Sequence, residues 1–319
     1  MKCLISLISL FYISILYSDN LSLYLESNNT SSFILFHEGK IKVKKEFAVR
    51  VPSEFYKIAS EGNVDGRSLE DVASIQKSII SLLVGIAQQK GLLDINDSVS
   101  SHLGTWTKSD KKFEQKIKII HLLSMNSGLD ESLSYEYPPA TSWLYNTKAY
   151  SQLIFVLEKV TNKDIQSISK EWLFDVIGMK ETYWQMRSSK WPSSASRYGL
   201  VTTARDLLEL GLFVLNGGEE GDFHVIEDID FFDESFVNSQ NENLAYGYLW
   251  WLNNSATHVN YSGELKKGNL LPGAPQDTIL ALGAADRILA IVPSKDLIMV
   301  RLGDFPKDTN FQNNIWLRF

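Results

Sequence analysis

Apolar and polar positions follow two different periods along this chain. Near the start, Ser32-Phe33-Ile34-Leu35-Phe36-His37 is an apolar run. Glu38-Gly39-Lys40 interrupts it, and Ile41-Lys42-Val43-Lys44 alternates with period two. That is the signature of a β-hairpin, with His37 at the half-exposed end of its first strand. From about residue 70 to 216 the spacing lengthens to three and four. Ile79, Leu82, Leu83 and Ile86 predict a helix that opens at Ser74, buries one face and is capped by Gly91. Helices are also predicted over Ile117 to Ser124, Tyr150 to Val160, Leu173 to Met179, and Ala204 to Leu215, the last closed by Gly217-Gly218. Residues 219–243 are acidic with little periodicity and read as a surface excursion. Strand patterns return at Ala245 to Leu252, Thr278 to Leu282, Ile288 to Val292 and Leu297 to Leu302.

Strands at both ends with helices between them predict an α+β fold. An antiparallel sheet is built from both chain ends and flanked by helices, with a mainly helical subdomain inserted at roughly 80–216. With 319 residues, 44% hydrophobic and 22% charged, the chain can bury a large core. No repeat or flexible linker divides it, so 19–319 reads as a single domain. Lys2 followed by the apolar run Cys3 to Tyr17 and the small Ser18 has the form of a signal peptide, residues 1–18. The expected location is therefore exported, periplasmic or secreted, the alternative being an uncleaved anchor. Cleavage would remove Cys3, the sole cysteine, leaving no disulfide or thiol chemistry. The net charge of −7, with no basic block, argues against a nucleic-acid partner. No second segment is long and apolar enough to span a membrane, so no integral membrane role is expected after cleavage.

Chemistry enters at Ser74 and Lys77, which share the first turn of the predicted helix. A serine hydroxyl becomes a useful nucleophile when a neighbouring base takes its proton, and a lysine with a depressed pKa can be that base. Glu70 and Asp71 sit just upstream, where a helix N-terminus favours negative charge. Backbone N–H groups there could face an oxyanion. A surface helix with an ordinary Ser and Lys fits the same four residues. No G-x-S-x-G, H-E-x-x-H, C-x-x-C or phosphate-binding loop is present. The five histidines lack ligand spacing, and His121 on its apolar helix reads as packed, so no metal and no cofactor is expected. Trp250 and Trp251 read as strand residues, one on each side.

Further stretches join Val72 to Ser78 in a fixed order. They are Leu122 to Leu129, Trp143-Leu144-Tyr145-Asn146-Thr147, Tyr198 to Leu207, Tyr246 to Trp251, Leu271-Pro272-Gly273-Ala274-Pro275, Ala281-Leu282-Gly283 and Val292 to Gly303. Together they resemble the β-lactamase-related serine hydrolases. That superfamily includes class C β-lactamases, penicillin-binding D-Ala-D-Ala peptidases, esterases and 6-aminohexanoate-dimer hydrolases. The esterase and amide-hydrolase branch is the nearest in pattern. The resemblance implies Ser74 as acylated nucleophile, Lys77 as its proton partner and Tyr145 as the tyrosine that shuttles the proton. The scheme expected is a coupled pair with the proton passing through Tyr145.

Two departures from the family pattern stand out. Thr147 occupies the asparagine position of Y-x-N, with Asn146 one residue early. The third motif falls on Gly283-Ala284-Ala285-Asp286-Arg287, with alanine where lysine or histidine belongs; Lys266-Lys267-Gly268 reads as a loop decoy. Arg287 could restore the charge, and backbone N–H groups near Asp286 and Arg287 would join that of Ser74 in an oxyanion hole. The resemblance implies an acyl-serine hydrolase of small esters, amides or short peptides. The alternative is a catalytically weak, penicillin-binding-like protein that holds a peptide or cell-wall ligand.

Overall fold

The computed structural model describes residues 20–221 and 223–318; the signal-peptide reading of 1–18 lies outside them. Both chain ends meet in one sheet. Strand β1 (Thr30–His37) pairs with β2 (Lys40–Glu46) on one side and with the last strand, β14 (Leu297–Gly303), on the other. The antiparallel sheet continues through β13 (Arg287–Val292), β12 (Ile279–Gly283) and the short β9 (Trp251–Leu252), in the order β2-β1-β14-β13-β12-β9. Apolar runs, not alternation, dominate β13 and β14 because both are buried throughout. Edge strand β2 alternates, and its four lysines keep that edge solvated. Helix α3 (Ala204–Leu215) packs across β1, β13 and β14. The strands predicted at Thr278, Ile288 and Leu297 thus form within a residue of their expected bounds. The one predicted at Ala245 shrinks to Trp251–Leu252.

A second sheet, which the periodicity did not indicate, joins two strands before the segment predicted to be helical with two inside it. Its strands are β3 (Ser60–Val64), β4 (Arg67–Asp71), β5 (Tyr183–Met186) and β6 (Tyr198–Thr203), in the order β3-β4-β6-β5. These strands have four to six residues, too short for a period to stand out. Two short hairpins are also present among the described residues: β7 (Glu219–Glu220) with β8 (Phe223–His224), and β10 (Thr257–Val259) with β11 (Leu265–Lys267). Lys266 and Lys267 therefore lie on an exposed strand, not a loop.

Helix α1 (Gln76–Gln89) departs from the expected single buried face: every residue from Gln76 to Ala87 is buried. Its sequence, QKSIISLLVGIA, carries one charge in twelve positions, as a helix enclosed on all sides requires. Helix α2 (Gln152–Thr161) packs against it. The region 219–243 is not wholly a surface excursion, because the helix Ile229–Ser235 returns Phe231 and Phe232 to the core.

Candidate active site

The β4 strand ends at Asp71, and three residues later Ser74 stands in a short 3-10 turn, Ala73–Ile75, that feeds α1. Ala73 holds φ at +50°, a left-handed conformation that costs about 1–3 kcal/mol unless its surroundings impose it. Asp71 Oδ1 imposes it, accepting a 2.9 Å hydrogen bond from the Ala73 N–H. Asp71 is in turn fixed by Arg187, whose Nε and Nη2 donate to Oδ2 and Oδ1 at 2.8 and 2.6 Å. Arg187 Nη2 also donates to Gln76 Oε1 at 3.0 Å, tying the start of α1 into the same cluster. Gly199 makes room for the pair: a Cβ there would sit 1.9 Å from Asp71 Oδ2. Glu70 and Asp71 thus serve buried arginines, and helix-dipole stabilisation is not their main work.

Lys77 Nζ donates to Ser74 Oγ at 2.9 Å. The lysine is 2% exposed, and no carboxylate of the described residues lies within ion-pair distance of it. The rings of Tyr145 and Tyr150 enclose it, each with its centroid 4.6 Å from Nζ. Burial, and then the positive charge of Arg187, hold its pKa well below that of an ordinary lysine. Tyr145 is shifted the other way: burial raises its hydroxyl pKa, and the side chain of Ser74 against it recovers part of the shift. Burial thus moves the two groups in opposite directions, the amine toward easier loss of its proton and the phenol toward keeping its own.

Ser74 opens onto two lobes. The larger, about 560 Å³, is bounded by Tyr145, Trp251, His258, Tyr261, Phe305 and the turn Gly283–Asp286. The smaller, about 180 Å³, lies against Lys77, Thr147, Arg187, Trp191 and Ser196. Trp251 stacks on Tyr145, with centroids 5.6 Å apart, while Trp250 is fully buried on the other side against Phe236.

The β12–β13 turn approaches Ser74 closely because Gly283 has no side chain: a Cβ there would lie 2.4 Å from the Val72 carbonyl. Within the turn, Ala285 and Asp286 both hold positive φ, at 63° and 52°. Two buried arginines fix it from behind. Arg287 Nη1 donates to the Ala284 carbonyl at 3.0 Å, and Arg301 Nη1 donates to the carbonyls of Ala285 and Asp286 at 2.5 and 3.3 Å. Burial, with Arg287 nearby, draws the Arg301 pKa down to about 10.

Among the predicted substrate-binding residues, Thr147 borders the smaller lobe and Asp286 the larger. Arg287 brings no charge to the cleft. Its side chain is fully buried, and Nε and Nη2 both donate to Glu70 Oε2, at 3.0 and 2.7 Å. Asn146 is directed inward as well. Its Oδ1 caps the turn Thr147–Tyr150 by accepting from Ala149 N, and its Nδ2 donates to the carbonyls of Leu129 and Asp130. His121 is packed as expected, with Nδ1 accepting from Lys118 N and burial lowering its pKa to about 4. No cluster of metal-ligating side chains occurs among the described residues. Arg187 and Gln76 were not found from the sequence; the clue was a charged Asp71 directly before the apolar Val72-Ala73 that leads to Ser74.

Comparison with known proteins bears on the fold and the family. An uncharacterised protein of Alkalihalophilus pseudofirmus is 25% identical over 280 residues, covering 79% of each chain. The solved structure of a class C beta-lactamase from Rhodobacter sphaeroides superposes with a TM-score of 0.65 at 16% identity, covering 94% of this chain and 98% of that one. A penicillin-binding protein from Bacillus halodurans gives a TM-score of 0.65 at 15% identity, covering 93% and 98%. At such identities these two structures speak for the fold alone. The Beta-lactamase family profile matches residues 30–308, and the chain belongs to that family.

Proposed function

We propose that this protein is a serine hydrolase that cleaves an ester or amide through an acyl-Ser74 intermediate. The observation that carries the reading is the 2.9 Å contact between Ser74 Oγ and a buried lysine amine whose pKa burial holds well below the usual lysine value. Ser74 Oγ attacks the carbonyl carbon as Lys77 Nζ takes its proton. The leaving alcohol or amine receives a proton, with Tyr145 beside Ser74 to relay it, as the C–O or C–N bond breaks. Water then attacks the acyl carbon and restores Ser74. N–H groups of Ser74 and of the Ala284–Asp286 turn receive the oxyanion; loss of one such donor typically costs about 10²–10³ in rate. The apolar run before Ser18 supports an exported protein.

Ester cleavage should exceed β-lactam cleavage. A cation at the Ala284 position would hold a β-lactam carboxylate, and Arg287 is committed to Glu70. Loss of a charge-assisted hydrogen bond costs about 1.5–3 kcal/mol, roughly ten- to a hundredfold. The same deficit supports a rival reading, a protein that binds a peptide or cell-wall ligand without turnover. Steady-state assays with p-nitrophenyl esters, D-amino-acid amides and a chromogenic cephalosporin separate the two. Esters turned over faster than cephalosporin support the proposal, and no turnover of any substrate favours the rival.

A further inference from the structure

The charges around Ser74 are unevenly placed. Both cations near the nucleophile, Lys77 and Arg187, border the smaller lobe. The larger lobe has no lysine or arginine among its bounding residues, and its one carboxylate is Asp286. Gln312 Nε2 donates to Asp286 Oδ1 at 2.9 Å, while Oδ2 accepts no hydrogen bond from the described residues. The charge of Arg301 acts on Asp286, but its N–H groups are spent on Thr30 Oγ1 and on the backbone carbonyls of Asn28, Ala285, Asp286 and Asp304. The remaining walls are aromatic: Tyr145 stacked on Trp251, with the more exposed Tyr261 and Phe305 further out. His258 donates Nδ1–H to the Gly268 carbonyl.

Aromatic faces and a single carboxylate attract a cation and repel an anion. We infer that the larger lobe selects substrates bearing a cationic nitrogen group, an alkylammonium on an apolar body, with Asp286 as the residue that reads the charge. The inference rests on the hydrolase reading for turnover, while its binding part stands without it. Asp286 is therefore a specificity-determining residue, and the cleft disfavours carboxylates whatever reaction follows.

Three thioesters of matched size test this: butyrylthiocholine, its neutral isostere 3,3-dimethylbutyl thiobutyrate, and the anionic thioester of 3-mercaptopropionate. Binding is measured by calorimetry on the Ser74→Ala protein, which cannot be acylated. The cation should bind about tenfold more tightly than its neutral isostere, with the anion weakest. Adding Asp286→Asn should bring the first two to within about twofold; asparagine tolerates the positive φ of this position. Equal affinity for cation and isostere, a preference for the anion, a preference that survives Asp286→Asn, or no binding at millimolar concentration would each overturn the inference. A wild-type protein that binds in this order but turns over none of the three contradicts the hydrolase reading alone.

Discussion

Arg187 and Asp71, 116 residues apart, form a buried two-bond pair that sets the backbone before the nucleophile. The pair acts on Ser74 through the Ala73 N–H and on Lys77 through the charge of the guanidinium.

Removal of Arg187 should therefore have two separable effects. Arg187→Met leaves the Asp71 carboxylate buried without its counter-charge, which costs about 3–5 kcal/mol. Asp71→Asn combined with Arg187→Gln should recover much of that, as read by thermal melts. In the protein that folds, a positive charge pushing the proton off Lys77 has gone, so the Lys77 pKa rises. The rising limb of the pH–rate profile should move to higher pH; an unmoved limb contradicts the coupling.

The two tyrosine–lysine schemes differ under mutation. With burial lowering Lys77 and raising Tyr145, Lys77→Met should remove nearly all single-turnover acylation, and Tyr145→Phe should keep much of it. Severe loss in both, with Lys77→Arg better than Lys77→Met, would restore the phenolate route.

Lys77 should also weaken the fold at neutral pH. Its folded pKa lies below the unfolded value of about 10.4, so the unfolded chain binds more protons between the two values, and stability rises with pH across that window. Lys77→Met should melt higher than wild type at pH 7, with the gap closing toward about pH 10. Melting curves collected across that range give the comparison directly.

Gly283→Ala tests the approach of the β12–β13 turn. Its methyl would need the space of the Val72 carbonyl, 2.4 Å away, so the turn must withdraw from Ser74. A loss of about 1–3 kcal/mol in stability is expected, with a fall in kcat larger than any change in KM. Unchanged kcat would remove this turn from the catalytic account.

Much of this was legible in the sequence, for local reasons. Ser74 and Lys77 are three residues apart on one turn, so their contact follows from helix geometry. The sheet from both chain ends follows from long apolar runs such as Arg287–Val292. What escaped depends on long-range pairing. Glu70 and Asp71 looked like companions of a helix N-terminus, but each answers a buried arginine far along the chain. Arg287, alone among apolar neighbours on its strand, was itself the sign of a buried pair rather than a cleft-facing charge. Phe231 and Phe232 were similar signs that 219–243 returns to the core.

The central claim is that Ser74 becomes covalently acylated. Intact-mass measurement after treatment with a fluorophosphonate, followed by peptide mapping, tests it most directly. One adduct per chain should appear on Ser74, be absent in Ser74→Ala, and be strongly slowed in Lys77→Met. No adduct, or an adduct on any other residue that persists in Ser74→Ala, would contradict the account.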